Sequence, residues 1–360
     1  MHQRYPGEVQ LYVQDGLGPE TDTAGFEIVD TGPRLRRFLR MTSGGWRMFR
    51  AVLRARPAIA HFHDPELLPW AILLRLYGVM VVYDVHEDYP EAVAENYRLP
   101  RAARVLLPPA VGFVEWVGAA FMSAIVAVTP RIASRFPQSK TVMVRNWPKV
   151  SEFHTPADRP MRDRPREVAY IGTITLNRNI LGMMDAVEAA RDCGAVLRLA
   201  GHFTVAMDEV RARAHPGWSR VHFDGWVSRE GVADILNSVR AGLVVLKPVE
   251  HEMLTYPIKL FEYMAAGVPV ISSDFPLWRE FVNEADCGIL VNPANPEEIA
   301  DAIRWIIANP DEAQAMGERG RRAILEKYNW EQEAQILHQL YERLGVDHQD
   351  GRRKPHRQAS

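Results

Sequence analysis

Lys259 and Glu262 stand three residues apart in the segment TYPIKLFEYMAAGVPVISSDFPLW (255–278), so on a helix an ammonium and a carboxylate share one face. Pro257 suits the first position of such a helix, Thr255 or Tyr256 can cap it, and Gly267 ends it before the apolar run VPVIS. Lys259 then falls in the first turn, where a cation opposes the positive end of the helix dipole. That placement becomes useful when an anion such as a diphosphate docks at the same terminus. A carboxylate accepts two hydroxyl hydrogen bonds, so Glu262 suits a ribose diol and the pair together suits a sugar nucleotide. The same spacing is that of an ordinary helix-surface ion pair, and on spacing alone both readings stand.

The surrounding pattern supplies elements to hold these side chains. From Glu167 onward the runs EVAYIG (167–172), AVLRLA (195–200), RVHF (220–223), GLVVL (242–246), VPVIS (268–272) and GILV (288–291) alternate with helical segments. Nearly continuous apolarity marks strands covered on both faces, and the alternation predicts a parallel, doubly wound α/β sheet. Fainter runs in the first half, VQLYV (9–13), IAHF (59–62), VMVVYD (79–84), AIVAVT (124–129) and TVMV (141–144), predict a second sheet of the same type. Between the halves, residues 151–167 are rich in Pro, Arg and Asp without an apolar period and read as an exposed linker. The expected domains are therefore 1–150 and 168–329, with a last helix at about 330–344 returning to the first and a polar, basic tail at 345–360 predicted to be disordered.

Composition narrows the class. With 360 residues, 47% hydrophobic and 24% charged, disorder and fibrous repeats are excluded and two ordinary domains fit. Two cysteines exclude a disulfide framework and a cysteine-built zinc site, and the polar start holds no signal-peptide core, so a cytoplasmic protein is expected. Net charge is −2, but residues 1–150 hold 18 Lys+Arg against 14 Asp+Glu and the remainder 25 against 31, which suits an anionic partner at the first half. Residues 34–56 carry eight arginines among Leu, Phe, Trp and Met, so this segment either lies on an anionic membrane face or forms a solvated helix. Residues 105–128 contain one charge, Glu115, and are long enough to span a bilayer; Pro108, Pro109 and Gly118 break the run, predicting an amphipathic helix over about 110–122 before a buried strand at 124–129. No acidic pair at metal-ligand spacing and no HExxH arrangement among twelve histidines is found, so no metal site is expected, and no nucleic-acid partner.

The stretch PIKLFEYMAAGVPVISSDFPLW resembles the nucleotide-sugar-binding signature of glycosyltransferase family 4, whose members are retaining, metal-independent enzymes of GT-B fold. YIGTITLNRN (170–179), LAGHF (199–203), HFDGWVSREGV (222–232) and YNWEQE (328–333) agree in order and spacing, and HFHDPELLP (61–69) and VVYDVHEDYP (81–90) resemble the strand ends that face the cleft between the two domains. The resemblance implies that Glu262 holds the ribose, that Gly172 and Thr173 lie against the donor diphosphate, that Arg178 is the basic residue after this loop, and that Val227 reads the base through its backbone. Leu260, inside the signature, joins this donor-binding set. His86 is implied to touch the donor sugar, with Lys259 and Arg178 stabilising the leaving diphosphate, and Asp64, Asp84, Glu87 and Asp88 on the acceptor side.

Three departures accompany the match. Leu254 stands where the first acid of the Glu, seven residues, Glu motif belongs, with Glu250 and Glu252 near but out of register. Thr173 replaces the arginine that many members place after the loop glycine. The chain also begins just before the segment that a first strand and glycine loop precede in relatives, so the first strand of the first domain is expected to be missing. The leading expectation is transfer of a sugar from a UDP- or GDP-linked donor to an acceptor hydroxyl on a glycan, a lipid-linked saccharide or a small polyol, by domain closure and without a metal. A sugar-nucleotide epimerase of the same fold and a non-catalytic nucleotide-sugar-binding homologue remain the alternatives.

Overall fold

The computed structural model describes residues 9–22, 25–95, 99–153 and 159–345. Two compact units divide the chain: Met1–Arg145 with Glu333–Ser360, and Asn146–Gln332.

Among the described residues, seven strands lie in the first unit. They are β1 (Gln10–Val13), β2 (Glu20–Thr21), β3 (Glu27–Asp30), β4 (Ile59–Phe62), β5 (Met80–Val85), β6 (Ala124–Ala127) and β7 (Thr141–Met143). β4 to β7 form a parallel sheet in sequence order, and its middle strands β5 and β6 are buried on both faces, as their unbroken apolar runs require. β1, β3 and β2 make a separate three-stranded sheet, so the single doubly wound sheet expected here is two sheets. The antiparallel strand β2 and β3 itself went unforeseen because both are short and partly exposed and carry no apolar run.

In the second unit, β8 (Glu167–Ile171), β9 (Val196–Ala200), β10 (Val221–Gly225), β11 (Ala241–Val244), β12 (Val270–Ser273) and β13 (Gly288–Val291) coincide with the six runs read from the sequence. Every pairing is parallel and the order is β10-β9-β8-β11-β12-β13, the doubly wound arrangement in which strand order reverses between β8 and β11. Its core runs from Val168 and Tyr170 on β8 through Tyr263 and Trp278 to the helix Pro296–Ala308.

Two expectations need correction. The apolar helix runs over Arg101–Phe121 and contains Pro108 and Pro109 instead of beginning after them. Each proline removes one backbone donor near the helix start, and the following three turns are anchored by buried Glu115, Gly118 and Ala119. Glu115 accepts from the Tyr83 hydroxyl at 2.8 Å and pairs with Arg135, which accounts for a carboxylate inside this run. Among the described residues this is the helix long and apolar enough to cross a membrane; 17% of its apolar window is buried.

The described parts of 151–167 are not a loose linker. Phe153 and Met161 are buried, and the Arg164 guanidinium donates to the Val239 carbonyl at 3.0 Å, so this stretch is fastened to the second unit, and the division between units falls at Arg145/Asn146. Residues 346–360 of the tail lie outside the described residues, as do Met1–Glu8.

Candidate active site

In a doubly wound sheet the ligand crevice opens beyond the carboxyl ends of the strands where the order reverses, here β8 and β11. Gly172 leaves β8 with φ +131° and Gly201 leaves β9 with φ +136°, conformations that L side chains rarely adopt. A Cβ at Gly201 would stand 1.8 Å from the Gly172 carbonyl oxygen, and one at Gly172 would stand 2.6 Å from Lys259 Cε. The two glycines thus let adjacent loops close together and leave room for the Lys259 stem.

Lys259 lies in the first turn of the helix Ile258–Ala265, its ammonium 5.3 Å from the centre of the Tyr170 ring. Burial is the main cause, and the Arg178 guanidinium the second, of a pKa pushed down to about 8, with Glu262 and Glu252 opposing. Pro257 is the cap residue of this helix, and no side chain caps its first N–H groups. The capping expected of Thr255 or Tyr256 does not occur: the Thr255 hydroxyl donates back to the Glu252 carbonyl at 3.3 Å. An open helix start and a poorly solvated ammonium therefore meet beside the Gly172 turn, a setting favourable to a dense anion.

Arg178 ends the turn Leu176–Arg178, which Thr175 caps by accepting from its backbone N–H at 3.2 Å. Its guanidinium meets Glu252 on both oxygens at 3.3 Å. Glu252 sits on the short helix Glu250–Met253, so the acid out of register in the sequence is the one that reaches the loop after β8. Leu254, at the register position, is 36% exposed. The following Asn179, in the left-handed region at φ +62°, donates to the Val245 and Pro293 carbonyls and pins the loop to the segment after β11.

Glu262 pairs with Arg229 at 3.1 Å, so the reading of Lys259 and Glu262 as an ion pair on the helix surface is not met. The carboxylate answers an arginine from an earlier helix, Arg229–Ser238, and acts on Lys259 only as a nearby charge. Leu260 is fully buried in the core, which removes its side chain from any donor-binding role. Thr173 is exposed and its carbonyl accepts from the Tyr170 hydroxyl at 2.8 Å, while Val227 lies partly buried in the turn after β10.

In the first unit, β4 and β5 run parallel with His61 opposite Val82 and Phe62 opposite Tyr83. The two-residue period of a strand puts His61 and His63 on one face, and Asp84 and His86 likewise. All four converge: Asp84 Oδ2 lies 3.0 Å from His61 Nε2, 3.3 Å from His63 Nδ1 and 3.2 Å from His86 Nε2. Burial by itself raises the Asp84 pKa, but hydrogen bonds from the three imidazoles outweigh it and hold the carboxyl well below the usual carboxylate range. The same Asp84 bond, opposed by burial, pushes the His86 pKa up.

The ring of His61 is fixed from its far side by the Tyr341 hydroxyl, 2.6 Å from Nδ1, on the helix Trp330–Arg343. An ionised Asp84 only accepts, so Nε2–H of His61 donates to it and Nδ1 accepts from Tyr341. Asp84 is accordingly a buried anchor for three histidines. Asp88 is also committed, since it caps the helix Tyr89–Ala94 and accepts from Arg135 at 3.1 Å. Asp64 and Glu87 are exposed, and His86 is half-exposed. His61, His63 and Tyr341 escaped the sequence reading; the alternating H-F-H at 61–63 was their only local signal.

Of the arginines at 34–56, Arg40 donates two 2.8 Å bonds to Glu66 and Arg50 lies over the Trp46 ring at 5.9 Å.

Residues 165–309 match the family model described as Glycosyl transferases group 1. A glycogen synthase of Mycobacterium tuberculosis is 24% identical over 325 residues, covering 88% of this chain and 73% of that protein. A GDP-mannose-dependent alpha-(1-6)-phosphatidylinositol dimannoside mannosyltransferase of the same species is 29% identical over 365 residues, covering 89% and 88%. Among solved structures, sucrose-phosphate synthase from Thermosynechococcus elongatus superposes with a TM-score of 0.74 at 18% identity, covering 95% of this chain and 90% of that one. Anabaena HepE in complex with UDP-glucose does so with 0.67 at 12% identity, covering 93% and 99%. The fold is thus GT-B, with two Rossmann-like domains, and the protein is a sugar-transferring enzyme. More narrowly, its second unit holds the domain that matches group 1 glycosyltransferases, and the chain is a glycosyltransferase that uses a nucleotide sugar.

Proposed function

We propose that this enzyme moves a hexose from a UDP- or GDP-linked donor to a hydroxyl of a glycan, lipid-linked saccharide or polyol, with retention at the anomeric carbon and without a metal. The observation that carries the reading is the Lys259 ammonium, stripped of much of its water beside the Gly172 turn at the open start of the helix Ile258–Ala265.

The chemical demand is the negative charge that grows on the leaving diphosphate. Lys259, the backbone N–H groups of the helix start and Arg178 supply fixed positive potential there, strongest when the sugar bond is most broken. Arg178 first has to exchange Glu252 for the donor, or share it, so the pair also sets how strongly the free site repels anions. Glu262, placed by Arg229, takes the ribose diol, and the backbone around Val227 takes the base. In the first unit His86 serves the donor sugar and the incoming hydroxyl, its charge and tilt set by Asp84; the exposed Asp64 and Glu87 are the acceptor-side carboxylates. One relative named above is a GDP-mannose-dependent mannosyltransferase, which supports a hexosyl donor here. Free Cys193 and Cys287 favour the cytoplasm, and exposed Phe38 and Trp46 beside the arginines favour contact with its membrane face.

Incubation with a panel of UDP- and GDP-sugars, read for nucleotide release with and without acceptor, tests this. Acceptor-dependent release supports transfer. Interconversion of the sugar without release identifies an epimerase, and saturable binding with neither identifies a binding homologue, the reading favoured by exposed Leu254 at the position of the motif acid.

A further inference from the structure

Three imidazoles and one carboxylate meet at the carboxyl edge of β4 and β5. His61, His63 and Asp84 each offer one ligand atom, all within 4.8 Å of one another, and His61 Nε2, His63 Nδ1 and His86 Nε2 approach Asp84 Oδ2 at 3.0, 3.3 and 3.2 Å. Around a tetrahedral zinc ion with bonds of about 2.0–2.1 Å, neighbouring ligand atoms are about 3.3 Å apart. The three histidine-to-Asp84 separations, 3.0, 3.3 and 3.2 Å, match that edge.

Two further observations point the same way. Asp84 Oδ1 is buried and has no hydrogen-bond partner among the described residues, while Oδ2 is crowded by three donors, an uneven load for one carboxylate. His61 is held on its far nitrogen by Tyr341, the kind of outer contact that orients a metal-binding imidazole. His63 and His86 reach solvent, which gives an ion a way in.

We propose that His61, His63, Asp84 and His86 form a binding site for a divalent transition-metal ion, with zinc the ion that this nitrogen-rich set favours. With Nε2 of His61 on the ion, Nδ1 carries the proton and donates it to the Tyr341 oxygen, so the 2.6 Å contact persists with its direction reversed. Magnesium and calcium, which take oxygen ligands, are rejected. Zinc here withdraws His86 from transfer, a consequence that rests on the role proposed for that residue; ion binding is measured without turnover, so the two ideas fail separately.

The test is titration of the chelator-stripped full chain with Zn²⁺ against a chromophoric competitor. One ion per chain, with affinity on the order of micromolar or tighter and indifferent to millimolar Mg²⁺, is the expected result. His63→Gln and Asp84→Asn, each checked by circular dichroism for an intact fold, should weaken binding about tenfold or more. His222→Gln, which removes a histidine facing Glu167 and Asp224 in the second unit, should leave it unchanged. Equal affinity in wild type, His63→Gln and Asp84→Asn, or loss of the ion with His222→Gln instead, overturns the site.

Discussion

The two units build their working edges by different means. In the second, backbone does most of the shaping: two glycines at positive φ bring the ends of β8 and β9 together, and a helix start is left uncapped. In the first, side chains do it, with three histidines gathered on one buried aspartate and a tyrosine bracing the set. The contrast suits the two chemical tasks proposed. A diphosphate is recognised by charge and N–H direction, which any sequence can supply once the turn is tight, whereas proton and hydroxyl placement needs particular ring nitrogens.

The comparison breaks most decisively at Gly201. Gly201→Ala puts a methyl group 1.8 Å from the Gly172 carbonyl and should destabilise the second unit by about 3 kcal/mol or more, read as a lowered thermal midpoint. Gly78→Ala in the first unit, at φ +85° with nothing within 4 Å, should lose only about 1 kcal/mol. Equal losses would show that close approach is not what the Gly201 position demands.

Lys259→Ala should lower kcat/KM for the donor by at least about tenfold, roughly 1.4 kcal/mol, with the fold intact, as should Glu262→Gln. Asp84→Asn should cost about tenfold in kcat by freeing His86, with less effect on the donor KM, since its contacts are to histidines alone. Unchanged kinetics in Lys259→Ala alone would reverse the assignment of tasks to the two units.

A subtler effect concerns pH. Lys259 is protonated in the free enzyme below about pH 8, so kcat/KM for the donor should fall as pH rises through that value. Stability responds oppositely: between about pH 8 and the ordinary lysine range the unfolded chain holds a proton that the native one has released, so this group's contribution rises with pH. Lys259→Met should flatten both trends. The smallest change expected is from Tyr341→Phe, about 1 kcal/mol of stability from one hydrogen bond to His61, measured by urea unfolding.

Legibility in the sequence followed the same division. All six strands of the second unit's sheet were readable because parallel strands buried on both faces are apolar without interruption, and Gly172 and Arg178 follow β8 closely while Lys259 opens the helix that leads into β12. Leu260 was misjudged because a signature segment says nothing about which helix face turns inward, and the Arg229 partner of Glu262 comes from a different helix. The histidine cluster was the least readable, since it joins residues 61, 84 and 341, and no local period encodes contacts across such separations. The helix start at Arg101 was missed by treating Pro108 and Pro109 as terminators, although prolines one or two turns into a helix leave most of its ladder standing.

The brace that Tyr341 gives His61, and the bonds from Glu333 to the backbone N–H and guanidinium of Arg145, have a bearing on how the chain is made. Residues up to Arg145 are synthesised before the helix Trp330–Arg343, whose Glu333 and Tyr341 complete contacts with them. That stretch therefore waits for its partners, holding an unmatched arginine and an untethered imidazole while almost two hundred further residues emerge. Damage to the helix Trp330–Arg343 should consequently be felt at His61 and Arg145, far upstream in the polypeptide.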